Sequence, residues 1–353
     1  MAPSAKPPGS PRTRIMMPLE KLCQIVDNFP RQKVGVLGDV MLDRYVWGRA
    51  TRISQEAPVP VVQVTRQNSV PGGAANVASN LLSLGARAKV FGVVGEDREG
   101  DELISHLARA GAEMECVLKT GTRPTTVKTR VLAGNQQVVR IDQEEVKAVS
   151  PAIRQALRKS VFDALDSGEL GALILEDYAK GVFGKDFMQA IVDHARACNV
   201  PCALDPHPKN PFRVKGLSLM TPNRNEAFAL AGVAYTSGAG NPLEDRALAR
   251  VWQNLRHRWR PDYLLVTLGA DGMALFSEKE EQPMHIPTVA RQVFDVSGAG
   301  DTVMATMVLA QLSGASPLDA ARVANAAAGV VVGRVGTAAI EADVLRKALQ
   351  EGK

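Results

Sequence analysis

The chain has only four cysteines in 353 residues: Cys23, Cys116, Cys198 and Cys202. They are scattered, form no C-x-x-C pair, and have no histidine pair at zinc-site spacing. That argues against a disulfide framework and points to reduced thiols in a reducing, cytoplasmic compartment. No apolar run is long enough to span a bilayer, so no membrane role is expected. Neither sign of charge is in large excess: 42 Lys+Arg stand against 37 Asp+Glu, a net charge of +5. A nucleic-acid partner is therefore not called for, while a mild positive bias suits phosphorylated small molecules. The N-terminal segment carries Pro3, Pro7, Pro8 and Pro11 with Lys6, Arg12 and Arg14, and lacks an apolar h-region. Residues 1–20 are expected to be a disordered tail rather than a secretory signal. The full chain is 45% apolar and 22% charged, ordinary for a globular protein. A single domain over 21–353 can bury a sizeable core.

From Val34 onward, short apolar runs alternate with helical patterns. The runs are Lys33–Leu37, Ala88–Val94, Gly171–Leu175, Val200–Leu204, Leu217–Met220 and Asp262–Thr267. Continuous Val/Ile/Leu segments fit parallel strands buried on both faces. Between them lie helix-like stretches at Ala74–Leu84, Gly100–Ala110, Pro151–Leu165, Lys185–Ala197, Leu243–Arg258 and Asp301–Leu312. The alternation predicts an α/β sandwich of three layers with a mostly parallel central sheet. Polar residues follow each strand, at the carboxyl edge where such sheets bind ligands. Val59–Val64 and Thr126–Ile141 break the pattern, and Gly134-Asn135 splits the second like a hairpin turn. They are expected to be extra antiparallel strands in a small β flap, covering about 45–70 and 120–142. The chain stops soon after Leu345, so a second catalytic domain is not expected.

The strongest local signal is Asp295-Val296-Ser297-Gly298-Ala299-Gly300-Asp301-Thr302, leading into an apolar helix. Gly298 and Gly300 bare the backbone around Ala299, and the helix start adds its positive end, so the turn is suited to a phosphate. Asp301 stands at its lip, placed to accept a proton from an attacking hydroxyl. A helix cap is the plainer role for an Asp there. Upstream, Gly38-Asp39 follows the first strand with Asp43 four residues on. Pro71-Gly72-Gly73-Ala74-Ala75-Asn76 then opens a helix, where bare backbone and an amide can meet sugar hydroxyls.

Together these motifs, in this order, resemble the ribokinase-like (PfkB) carbohydrate kinases over about 34–340. The resemblance implies a ribokinase-like fold and an ATP-dependent kinase acting on a sugar. It implies that Asp301 is the base and that Gly298, Ala299 and Gly300 form the anion hole. Asp39, Asp43, Gly72, Gly73 and Asn76 would meet the sugar. Asn223 and Glu226, an N-x-x-E element, would organise Mg²⁺ and its waters, with Asp205 assisting through water. Thr267, Gly269 and Gly272 would form the nucleotide loop, Asn325 would line the adenine pocket, and Asp295 would belong to the same nucleotide side. Ser297 and the 331–337 stretch match a region where relatives hold a monovalent cation such as K⁺. Flap strands with open edges imply a homodimer.

Three stretches narrow the resemblance further: 52–62, 135–142 and 176–181. They look like the kinase half of the bifunctional enzymes of ADP-heptose synthesis, which acts on the anomeric oxygen of D-glycero-β-D-manno-heptose 7-phosphate. A stand-alone kinase of that kind is the expectation. Its phosphorylated substrate needs a cation away from ATP, for which Lys180 is the first choice, with Arg130 and Arg140 behind it. Asp205-Pro206-His207-Pro208-Lys209 departs from the D-P-K of relatives, displacing the cation by two positions. Alternatives are a kinase for a ketohexose phosphate or 2-keto-3-deoxygluconate, and a silent sugar- or nucleotide-binding protein. A dinucleotide-dependent oxidoreductase is excluded because Gly38-Asp39-Val40, not G-x-G-x-x-G, follows the first strand.

Overall fold

The structure, a computed structural model, describes residues 17–351 except 135, 237–240, 278–282, 291, 335 and 337. The strands are β1 (Lys33–Gly38), β2 (Val40–Ile53), β3 (Pro60–Gly73), β4 (Arg87–Gly95), β5 (Glu113–Thr120), β6 (Thr126–Ala133), β7 (Gln136–Gln143), β8 (Ala172–Glu176), β9 (Cys202–Asp205), β10 (Leu219–Met220), β11 (Tyr263–Thr267), β12 (Met273–Ser277) and β13 (Met284–Ile286). The helices are α1 (Leu19–Asp27), α2 (Ala74–Ser83), α3 (Arg98–Arg109), α4 (Pro151–Asp166), α5 (Lys185–Ala197), α6 (Arg224–Ala231), α7 (Arg246–Trp259), α8 (Ala299–Leu312), α9 (Pro317–Val331) and α10 (Ala342–Glu351).

Nine strands form the main sheet in the order β13-β12-β11-β10-β9-β8-β1-β4-β5. The run from β11 to β5 is parallel, and β12 and β13 close one edge antiparallel. Successive side chains on these strands enter opposite cores. In β8, Leu173 and Leu175 pack with α4, α5 and α7, while Ile174 packs with α2, α8 and α9. Two cores on two faces make the expected three layers, and they explain why the strand sequences are continuously apolar. Registers align the carboxyl ends: Gly38 pairs with Glu176, and Glu176 with Asp205. Polar residues that follow different strands are thereby stacked in one row.

A second sheet, ordered β3-β2-β6-β7, forms the flap. β2 pairs antiparallel with β3, and β6 antiparallel with β7, but β2 and β6 run parallel. The two expected antiparallel pairings are there, and the parallel β2–β6 pairing joins them. β1 and β5 are parallel members of the main sheet, and each continues past the same edge into β2 and β6, so the two flap strands leave in one direction. Residues 1–16 of the expected tail lie outside the described residues. Met17 donates its N–H to Asp319 (3.2 Å), and α1 buries Leu22, Ile25 and Val26, so the folded body begins before residue 21. Among the described residues no helix is long and apolar enough to cross a membrane.

Candidate active site

Asp301 lies in the first turn of α8, 4% exposed, after Gly298, which takes a left-handed conformation (φ 78°) as the helix cap. Its carboxylate accepts from Asn76 Nδ2 on α2 at 2.6 Å and from the Tyr178 hydroxyl at 2.5 Å. Burial pushes its pKa up to about 6, although both hydrogen bonds oppose the rise. The first-turn N–H groups of α8 have no helical acceptors and carry the helix's positive end. A carboxylate whose pKa is raised to about 6, beside a ready anion site, is the pairing a hydroxyl nucleophile and a phosphoryl donor need.

Tyr178 was not singled out as a site residue, and its position follows from Asp39. Asp39 is 2% exposed, and Oδ2 accepts from the N–H groups of Tyr178 (2.9 Å) and Lys180 (3.0 Å), with Val182 N–H on Oδ1 at 3.4 Å. It thus folds the turn after β8, where Ala179 (φ 54°) and Gly181 (φ 93°) are left-handed. The Asp39 carboxylate thereby holds the turn that carries Tyr178 and Lys180. Asp43, on β2, is 6% exposed and receives Arg130 Nη1 at 2.6 Å. Gly72 is required beside it: an added Cβ would sit 2.6 Å from Asp43 Oδ2. Gly73 (φ 56°) opens α2 with its backbone against Asp39 and Met41. Asn76 is buried on that helix with its amide on Asp301, so it orients the candidate base.

Behind Asp301 stand Glu176 and Asp205, whose carboxylates and that of Asp301 offer oxygens all within 4.8 Å of one another. Both Glu176 oxygens and Asp205 Oδ1 are buried without a hydrogen-bond partner among the described residues. Burial, then the mutual repulsion of these acids and Glu226, raises Glu176 and Asp205 well above the usual carboxylate range. Such an oxygen-only donor set suits a hard dication. Glu176 was not among the expected metal residues; only the β1-β8-β9 register brings it there.

Asn223 and Glu226 cap α6 reciprocally: Asn223 Oδ1 accepts from Glu226 N–H (3.0 Å) and Glu226 Oε2 from Asn223 N–H (2.8 Å). The pair is thus partly spent on the helix start, but burial raises the Glu226 pKa and its charge reaches the acid cluster. Asn223 bridges to Thr267 at the end of β11. Gly269 (φ 64°) and Gly272 (φ 84°) bracket the following turn, and a Cβ on Gly272 would meet Ile286 O at 2.1 Å. Asn325 on α9 is buried and donates to Pro287 O (2.7 Å), which ties α9 to the segment after β13. Asp295 accepts from Ser297 N–H (2.9 Å) and Gly336 N–H (3.0 Å), tying the glycine turn to the segment after α9.

Residues 31–343 match the pfkB family carbohydrate kinase. The chain belongs to this carbohydrate kinase family. Bifunctional protein HldE from Magnetococcus marinus is 43% identical over 322 residues, covering 91% of this chain and 64% of that protein. The HldE of Methylobacillus flagellatus is 41% identical over 315 residues, covering 89% and 62%. The chain therefore spans somewhat over three-fifths of the curated relatives it matches. Among solved structures, Arabidopsis thaliana ribokinase complexed with ribose and ATP aligns with a TM-score of 0.67 at 21% identity, covering 90% of this chain and 98% of that one. Phosphofructokinase-2 from Escherichia coli in complex with potassium aligns at 0.71 and 18% identity, covering 91% and 98%. The fold is ribokinase-like.

The cations expected at the sugar end are each engaged. Lys180 Nζ lies 2.6 Å from Glu144, Arg130 is held by Asp43, and Arg140 grips Asp142 (2.8 Å) on exposed β7. Lys209 is exposed, with its N–H on its neighbour His207. The structure brings Asp39, Asp43, Gly72, Gly73, Asn76, Asp205 and Asp301 to one edge of the main sheet. Asn135 and parts of the 331–337 stretch lie outside the described residues.

Proposed function

We propose that this kinase transfers the γ-phosphoryl group of ATP to the anomeric hydroxyl of D-glycero-β-D-manno-heptose 7-phosphate, giving the 1,7-bisphosphate and ADP, in the synthesis of the nucleotide-activated heptose of the lipopolysaccharide core. The observation that carries the chemistry is Asp301, buried, raised to about 6, and set on the anion-binding turn of α8. Ionised Asp301 takes the anomeric proton, the freed oxygen attacks the γ-phosphorus, and the bond to the ADP oxygen breaks. Asn76 and Tyr178 fix the carboxylate, and the turn at Gly298, Ala299 and Gly300 receives the charge moving across the phosphoryl oxygens. Glu176 and Asp205 would hold Mg²⁺, which supplies charge neutralisation on the ATP phosphates. The heptose reading draws on the resemblance of 52–62, 135–142 and 176–181, and on the similarity to the HldE proteins.

Asp43 is the proposed sugar contact, and the Thr267, Gly269 and Gly272 loop with the Asn325 side the proposed nucleotide site. Backbone oxygens around Ser297 are the proposed holder of K⁺. The exposed Ile53, Val64, Val139 and Ile141 on the flap, with its free edges, favour a homodimer through that sheet. We place the reaction in the cytoplasm, where ATP is available and the four free thiols stay reduced. The test is ADP release with Mg²⁺ across heptose 7-phosphate, unphosphorylated heptose, fructose 6-phosphate, ribose and 2-keto-3-deoxygluconate. Highest kcat/KM on heptose 7-phosphate is expected; a clear preference for another sugar overturns the heptose assignment.

A further inference from the structure

Any kinase for a sugar phosphate must meet a dianion at the end of the sugar away from the reacting hydroxyl. The three cations the sequence offers for this are Lys180, Arg130 and Arg140, and each is already neutralised by a carboxylate. A fourth is not. Lys128 stands on β6, in register with Asp43 on β2 and with Asp142 on β7. Its Nζ lies 5.6 Å from the centroid of the Tyr178 ring, whose hydroxyl holds Asp301. It is therefore one side chain away from the candidate base, on the flap side, opposite the α8 turn proposed for ATP. Among the described residues Lys128 has no ion pair or hydrogen bond, although it is only partly exposed. Burial and the charges of Lys180 and Arg140 hold its pKa below the usual lysine range, with Asp43 and Glu144 opposing.

A lysine drawn out of water with like charges beside it and no anion of its own raises the energy of the folded chain. That cost is relieved when an anion arrives. Burial first, then the charges of Lys209, Lys180 and Lys128, lowers the pKa of His207, so these lysines act on the same corner.

We propose that Lys128 is the specificity-determining cation that receives the distal phosphate of the sugar substrate, with Lys180 and Arg130 held by their carboxylates as the walls of that subsite. The inference rests on the sugar-phosphate reading above and names the residue that carries it. The shared ligand chemistry is a phosphate monoester, and its two possible sources are the sugar and the nucleotide.

The test compares wild type, Lys128→Met, Lys128→Arg and Lys180→Met on heptose 7-phosphate and unphosphorylated heptose, with KM for ATP measured in parallel. Lys128→Met keeps the apolar stem and removes the charge. The expected result is a rise of about 10- to 100-fold in KM for heptose 7-phosphate, the range of one charged hydrogen bond. kcat and the KM for ATP should change little, and Lys128→Arg should recover most of the loss. The ratio of kcat/KM between the phosphorylated and unphosphorylated sugars should collapse in Lys128→Met. Its melting temperature should equal or exceed wild type, because an unpaired charge has been removed. If wild type prefers the phosphorylated sugar and Lys128→Met keeps that preference while Lys180→Met loses it, the assignment to Lys128 is wrong and the sugar-phosphate reading stands. A rise confined to KM for ATP makes the phosphate the donor's and also overturns it. If wild type itself shows no preference for the phosphorylated sugar, the underlying reading falls and the inference falls with it.

Discussion

Replacing Asp301 by Asn removes the proton acceptor and keeps the shape of the site, and the structure predicts two effects of opposite sign. On catalysis, general-base assistance is worth about a hundred- to ten-thousand-fold, so kcat should fall by that factor, or by about 3–5.5 kcal/mol in the barrier. On stability, the buried carboxylate has its pKa raised from 3.8 to about 6. A buried acid of this kind binds its proton more tightly folded than unfolded. The cost of ionising it is absent below about pH 4, grows as pH rises through about 6, and is complete above that. At pH 8 that cost is about 3 kcal/mol. The variant's amide accepts only one hydrogen bond where Asp301 accepts two, from Asn76 and Tyr178, which returns about 1 kcal/mol. Asp301→Asn should therefore be nearly inactive yet more stable than wild type by up to about 2 kcal/mol at pH 8, with the gain gone at pH 4. Single-turnover ADP formation and urea unfolding at both pH values measure the two effects. Turnover within about ten-fold of wild type would refute the base role, and loss of stability at pH 8 would refute the argument from burial.

For wild type, kcat/KM should fall tenfold per pH unit on the acid side of about pH 6. Tyr178→Phe should move that limb upward, since the Tyr178 hydrogen bond lowers the Asp301 pKa; an unmoved limb denies the contact a role. Glu176→Gln should raise the Mg²⁺ concentration needed for half-maximal turnover and raise the metal-free melting temperature at pH 8; unchanged Mg²⁺ dependence would remove Glu176 from the proposed metal set. Gly181→Ala should destabilise by more than about 2 kcal/mol in urea unfolding, because the new Cβ would lie 2.1 Å from Lys147 O at a φ of 93°. Wild-type stability in that variant would mean the 178–182 turn is not fixed as described.

The parallel strands were legible because two-sided burial demands continuous apolar runs, and β1, β4, β8 and β11 fall within a residue or so of those runs. β2 was not, since Val40–Ile53 starts buried between sheet and flap and ends exposed, so no single period runs through it. β5 escaped for a related reason: at the sheet edge its burial is partial. In the site, the glycine turn at Gly298–Asp301 announced itself locally. The roles of Asp39 and Asn76 did not, because an acceptor for backbone N–H groups and a donor to a carboxylate look the same in sequence as a sugar contact. Glu176 and Lys128 were hidden in another way. Their meaning lies in register, Glu176 against Gly38 and Asp205, Lys128 against Asp43, and register joins residues far apart in the chain.

The same edge of the sheet holds two sets of unpaired ionisable groups of opposite kind. Among the described residues, both Glu176 oxygens and Asp205 Oδ1 are buried without a hydrogen-bond partner, and the partly buried Lys128 has no ion pair. The contacts run from Lys128 through the Tyr178 ring and its hydroxyl to Asp301, and from Asp301 to the two acids. Each imbalance raises the energy of the empty folded chain, and each is relieved by a ligand of opposite charge: a dication on the acid side, a phosphate on the flap side. The rigid three-layer core supplies the stability that carries this cost. Ligand binding should consequently stabilise the protein at both ends of the site independently. Mg²⁺ and sugar phosphate, added singly and together, should raise the melting temperature by increments that add, since the two groups share no partner. A sugar phosphate that stabilised only after Mg²⁺ was bound would place both charges in one site and contradict the separation of donor and acceptor ends by Asp301.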